Sequence, residues 1–125
     1  MNRNTDRIFE KLIALARHGG YIIISVDDYT VQCFAEKDKT QLDVEVVPDY
    51  HLSSLPESET VEFTRLGFKI DSDLTESNYY KSYKSSFVNH NIQSAISDVQ
   101  EIFDSIYKVS DEKEFEITDL SLIHI

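Results

Sequence analysis

A chain of 125 residues, 41% of them hydrophobic, is long enough for one core, and its single cysteine excludes an intramolecular disulfide framework and a Cys-rich zinc site. Twelve basic residues against 23 acidic ones give a formal net charge of −11, which excludes the clustered Lys and Arg that a nucleic-acid backbone requires. No apolar run approaches the ~18 residues of a membrane span and no basic-then-apolar leader opens the chain, so the expectation is a cytoplasmic protein.

In chain order, Asn4 or Thr5 is placed to cap a first helix, with Asp6 in its first turn. Ile8, Leu12, Leu15 and Ala16 recur at helical spacing, and Phe9 and Ile13 widen the stripe. Arg17 and His18 suit the carbonyl end, and Gly19-Gly20 ends the helix. His18 therefore reads as a cap residue, not a ligand.

Residues 21–47 follow a different period. Tyr21 to Val26 is almost continuously apolar, Asp27-Asp28 interrupts, and Tyr29 to Ala35 forms a second run. After the polar turn Glu36-Lys37-Asp38-Lys39, Thr40 to Val47 alternates, with Leu42, Val44 and Val46 on one face and Gln41, Asp43 and Glu45 on the other. A period of two with β-branched enrichment predicts a three-stranded antiparallel meander with one buried face.

Pro48-Asp49 breaks the third strand. Ser54 and Glu57 form a capping box around Pro56, opening a short helix to Arg65 with Leu55, Val61, Phe63 and Leu66 as its apolar positions. Gly67 stops that helix, and Phe68 folds back onto the core. Asp71, Asp73 and Glu76 form an acidic loop that lacks the glycine and terminal glutamate spacing of a calcium site. Residues 78–84 read as an edge strand, blunted against further pairing by Lys81 and Lys84.

The strongest helical signal is the stripe Ile92, Ala95, Ile96, Val99, Ile102, Phe103 and Ile106. With Asn89 or Asn91 as cap and Lys108 in the last turn, it predicts one helix over 89–108, about 30 Å long at ~1.5 Å per residue. Its apolar face is expected to pack on the sheet, or against a second copy. Residues 110–125 read as a frayed tail. The last six, Leu120-Ser121-Leu122-Ile123-His124-Ile125, match the translation of a transposon-based sequencing adapter and are excluded from fold reasoning. The expected domain is 1–109, an α+β unit with a three- to five-stranded antiparallel sheet in the order α-β-β-β-α-β-α.

No catalytic constellation stands out. His18, His51 and His90 are scattered, no HExxH, GxSxG, P-loop or GxGxxG is present, and Cys33 sits mid-strand without basic neighbours. The expectation is a non-enzyme with no metal and no cofactor. The seven Tyr and seven Phe are more informative. Tyr50, Tyr79, Tyr80 and Tyr83 fall in or beside predicted loops and an edge, where tyrosine offers rigid amphipathic area to a protein partner or simply caps a small core.

Local words add a resemblance. Thr30-Val31-Gln32-Cys33-Phe34 resembles the "YVQF" strand of the TY-Chap group of chaperone-like domains, and Glu45-Val46-Val47 with Tyr50-His51-Leu52 resembles its "EAV…YL" segment. Leu66-Gly67-Phe68 stands where that group has "LGW" and Asn78-Tyr79 where it has "NW", and Ile102-Phe103-Asp104-Ser105-Ile106-Tyr107 is similar to its closing helix. The resemblance spans about residues 8–109 and extends to the YbjN-like and type III secretion chaperone fold; Phe and Tyr stand here in place of the expected Trp. It implies a chaperone-like or adaptor domain that binds a protein or peptide segment, with homodimerisation through a helix or an edge. The residues expected to contact a partner are Gln32, Phe34, Tyr50, Phe68, Tyr79 and Tyr83. The charge supports a second reading, an acidic inhibitor or immunity protein that blocks a toxin or a nucleic-acid-binding protein.

Overall fold

The computed structural model describes residues 5–26, 29–36, 41–47, 57–70, 79–84, 87–109 and 113–119. Helix α1 (Thr5–His18) leads into strands β1 (Gly20–Val26), β2 (Tyr29–Ala35) and β3 (Gln41–Val47). Helix α2 (Glu57–Arg65), strands β4 (Lys69–Ile70) and β5 (Tyr79–Lys84), helix α3 (Val88–Glu101) and strand β6 (Glu116–Asp119) complete the chain. The architecture is α+β, as the periodicities predict. The strands form one sheet in the order β4-β5-β3-β2-β1-β6, antiparallel at every pairing.

The meander pairs as its alternation requires. Ile22, Ile24 and Val26 of β1, Val31, Cys33 and Ala35 of β2, and Leu42, Val44 and Val46 of β3 all turn to one face and are buried. Helix α1 lays Ile8, Leu12 and Leu15 on that face, and α3 adds Ile92, Ala95 and Val99 beside it. The first helix closes as expected. The Gly19 amide donates to Leu15 O at 2.7 Å, and Gly19 and Gly20 take φ of 76° and 124°, angles that a side chain would resist.

Several expectations need correction. Val61 is 57% exposed, while Phe63 of the same helix is fully buried. At about 100° per residue, position 61 lies some 200° round from position 63, so one of the pair must face water. Strand β5 is not the edge, because β4 pairs outside it through Lys69↔Tyr80 and Ile70↔Tyr79. Helix α3 begins after Phe87, which makes no side-chain cap, and Asn91 is instead buried within the helix.

The closing helix is not uniform either. From Ile102 to Ile106 it widens into a π-helical turn, in which the Tyr107 amide donates to Ile102 O at 2.9 Å. The widening lets consecutive residues Ile102 and Phe103 both reach the core. Lys108 then adopts φ 54°, and the Val109 amide turns back to Phe103 O at 2.8 Å.

That reversal bears on the segment expected to fray. Phe115 is buried, its ring 5.1 Å from that of Phe103, and Glu116–Asp119 pairs antiparallel with β1 from Ser25 to Ile22. One aromatic and the alternation Phe115, Ile117 suffice to dock a short strand despite its polar neighbours. The sheet thus extends past residue 109, where the domain was expected to end; residues 120–125 lie outside the described residues.

Candidate functional site

The layers are unequal. The helices cover one face of the sheet, and among the described residues no helix or strand covers the other. Because successive side chains of a strand alternate, the sheet pairing lays the uncovered face out in rows. One row runs Tyr21, Phe34, Asp43, Ser82 across β1, β2, β3 and β5. The next runs Thr118, Ile23, Gln32, Glu45, Tyr80, Lys69 across all six strands.

The first row is preorganised. The Tyr21 and Phe34 rings meet at 4.7 Å between centroids, tilted by 39°. Asp43 Oδ1 accepts from Gln41 Nε2 at 2.9 Å and from Ser82 Oγ at 2.5 Å, so its carboxylate is held in place on the sheet. Tyr21 and Tyr80 are each 44% exposed, unusual for large rings on a small domain, and Glu45 is exposed between them. This face can offer aromatic area and fixed carboxylates to a partner.

Of the six residues expected to contact a partner, Gln32 and Phe34 lie on this open face. Tyr50 lies outside the described residues, as do the capping box at Ser54 and Pro56, His51 and the acidic loop of Asp71, Asp73 and Glu76. Tyr79 and Tyr83 are buried on the helical side, at 1% and 5% exposure, which corrects their placement on an exposed edge; Phe68, at 3%, is folded onto the core as its position after Gly67 predicts, away from the open face. Tyr79 stacks on Phe63 at 4.1 Å, and Phe68 meets Phe63 edge-on at 5.8 Å. Tyr79 and Tyr83 are core residues because β5 sits inside the sheet, with α2 and α3 above it. The residues of this face missing from those six contacts are Tyr21, Asp43 and Tyr80, although Tyr80 is among the tyrosines expected near the edge. The alternation of residues 41–47 already put Asp43 and Glu45 on the wet face, but only the register shows that Tyr21 and Phe34 lie in the same row.

A second polar cluster lies on the helical side. Lys81 Nζ donates to Leu66 O at 2.6 Å and to Asp98 Oδ2 at 2.7 Å. Tyr83 OH donates to the same Asp98 oxygen at 2.6 Å, and the Lys81 ammonium stands 4.8 Å from the Tyr83 ring centroid. Burial and the bond to Asp98 push the Tyr83 phenol well above the usual tyrosine range. Lys81 and Asp98 also line a shallow groove of about 410 Å³ with His90, Gln93, Ser94 and Ser97. The cluster ties β5 to α3 and to the end of α2.

Cys33 is fully buried, and burial pushes its thiol up from the usual 9.0 to about 12. A thiol so held is not a thiolate nucleophile at neutral pH. Among the described residues no three His, Cys, Asp or Glu side chains converge on a metal-sized site, and no helix is long and apolar enough to cross a membrane. Compared with protein-family models, curated proteins and solved structures, the chain gives no match.

Proposed function

We propose that this domain is a non-enzymatic, chaperone-like or adaptor module that holds a segment of a partner protein against the open face of its sheet. The observation that carries this reading is the face that no described helix or strand covers, with Tyr21 and Tyr80 exposed and Phe34 half-buried among Gln32, Asp43 and Glu45. Exposed aromatics bounded by fixed polar groups are what protein-recognition surfaces use. The local resemblance to chaperone-like domains points the same way, and two of the expected contacts, Gln32 and Phe34, lie on this face.

The test is selection of a displayed random-peptide library on the intact chain and on a Tyr21→Asp/Phe34→Asp variant that leaves the buried face untouched. Enrichment of related sequences on the native chain, lost on the variant, is the expected result. Equal enrichment on both, or none on either, refutes the proposal. The net charge of −11 favours one rival, an acidic inhibitor of a basic protein. Its complex would form fast and weaken steeply with salt, so repeating the selection at high salt separates the two.

A further inference from the structure

The open face is not uniform in charge, and its pattern narrows what it holds. On the β1–β3 side the aromatic pair Tyr21–Phe34 adjoins Asp43 directly across the strand, and Glu45 follows two residues later on the same side of β3. Among the described residues the lysines of this face, Lys69 and Lys84, sit on β4 and β5 at the other side. Side chains two apart on a strand are separated by about 7 Å, whether they belong to β3 or to an extended partner. Asp43 and Glu45 are therefore spaced to meet alternate residues of an extended chain.

Resting on the function proposed above, we infer that the β1–β3 half of the open face takes an extended, arginine-bearing segment of another protein. One guanidinium stacks on the Tyr21–Phe34 pair and turns its N–H groups to Asp43, and a second, two residues along, reaches Glu45. Arginine fits better than lysine because its flat cation stacks on a ring while donating to a carboxylate in the plane of the fork. Asp43 is already oriented by Gln41 and Ser82, so little ordering remains to be done on binding. Lys69 and Lys84 repel the same segment from the β4–β5 half and fix which part of the face it occupies. The chain's net charge of −11 favours the encounter.

The experiment measures binding of three labelled peptides of equal length by fluorescence anisotropy. In them threonine alternates with arginine, with citrulline (its neutral isostere) or with valine. The arginine peptide is expected to bind at least about tenfold more tightly than the citrulline peptide. Tyr21→Ala/Phe34→Ala should weaken it by about tenfold or more, and Asp43→Asn/Glu45→Gln by a similar factor. The pair Asp6→Asn/Glu10→Gln, which removes as much charge from exposed positions of α1, should leave it within about twofold. Circular dichroism melts of each variant verify folding, and the isosteric carboxylate variants serve if the aromatic ones fail to fold. Equal affinity for arginine and citrulline, equal loss in the α1 variant, or no binding of the arginine peptide overturns the inference. Binding of the valine peptide alone, abolished by Tyr21→Ala/Phe34→Ala, overturns the arginine preference while leaving the proposed function standing.

Discussion

Tyr83→Phe removes one oxygen atom from a buried ring and nothing else. The hydroxyl donates to Asp98 Oδ2 at 2.6 Å, and Lys81 donates to the same oxygen at 2.7 Å. The side chains of Lys81 and Asp98 are 26% and 17% exposed, so the acceptor is an only partly hydrated carboxylate. A hydrogen bond to a charged group is worth about 1.5–3 kcal/mol, and because Lys81 still satisfies Asp98 in the variant, the lower end applies, about 1.5 kcal/mol. For a chain of this size that corresponds to a fall in Tm of about 6 °C. Urea unfolding should show a lower midpoint with an unchanged m value, since no surface is newly exposed. A double-mutant cycle with Asp98→Ala should return a coupling of about 1 kcal/mol. The pH dependence supplies a sign. Folding raises the Tyr83 ionisation above its usual 10.0, so its contribution is complete below pH 10.0 and is lost as pH rises beyond it. The gap between native chain and variant should therefore narrow in alkali. A loss below about 0.5 kcal/mol, or a cycle with no coupling, refutes the cluster as a tie between β5 and α3.

Other perturbations probe other parts of the fold. Cys33, its thiol pushed up to about 12, should resist thiol reagents until the chain opens; rapid labelling of folded protein would contradict its burial. By the same sign argument, the native chain should lose stability above pH 9.0 more steeply than Cys33→Ala, as followed by urea midpoints. Phe115→Ala should cost about 3 kcal/mol and expose the β6 amides to hydrogen exchange, whereas a frayed segment would lose nothing. Lys108→Gly should stabilise by about 0.5 kcal/mol: relief of a left-handed residue gives about 1–2 kcal/mol, and the freer unfolded chain takes back about 0.4–1. A lower melting temperature for that variant would contradict the turn seen after the π-helical segment.

The meander and both long helical stripes were legible because burial on one face writes its period directly into the sequence. Leu42, Val44 and Val46 are where the alternation put them, and Ile92, Ala95 and Val99 are where the helical spacing did. What was not legible depended on partners distant in sequence. Tyr79 and Tyr83 look like surface aromatics in a polar run, Asn-Tyr-Tyr-Lys-Ser-Tyr-Lys, and only the insertion of β5 between β3 and β4 buries them. Phe115 and Ile117 stand among polar residues, and the Phe115 ring packs on Phe103 where the helix widens into the π-helical turn. Half of the candidate site was equally hidden: Tyr21 gains its meaning from facing Phe34, a fact of register.

Register also links the two faces of β5. Tyr79, Lys81 and Tyr83 point inward, while Tyr80, Ser82 and Lys84 point outward, and a slip of one residue would exchange the two sets. The inward set resists such a slip, because Tyr79 is stacked on Phe63 and Lys81 and Tyr83 both hold Asp98. Ser82, fixed by that register, donates to Asp43 and helps to orient the carboxylate on the open face. A mutation buried under α3 can therefore change recognition on the opposite face without touching it. Tyr83→Phe keeps the ring and Lys81, so it should lower stability while leaving peptide affinity within about twofold. Removing Asp98 frees the Tyr83 hydroxyl and leaves Lys81 held by Leu66 O, and its effect should reach the open face through Ser82. If Asp98→Ala leaves peptide binding unchanged in a folded chain, the two faces are independent.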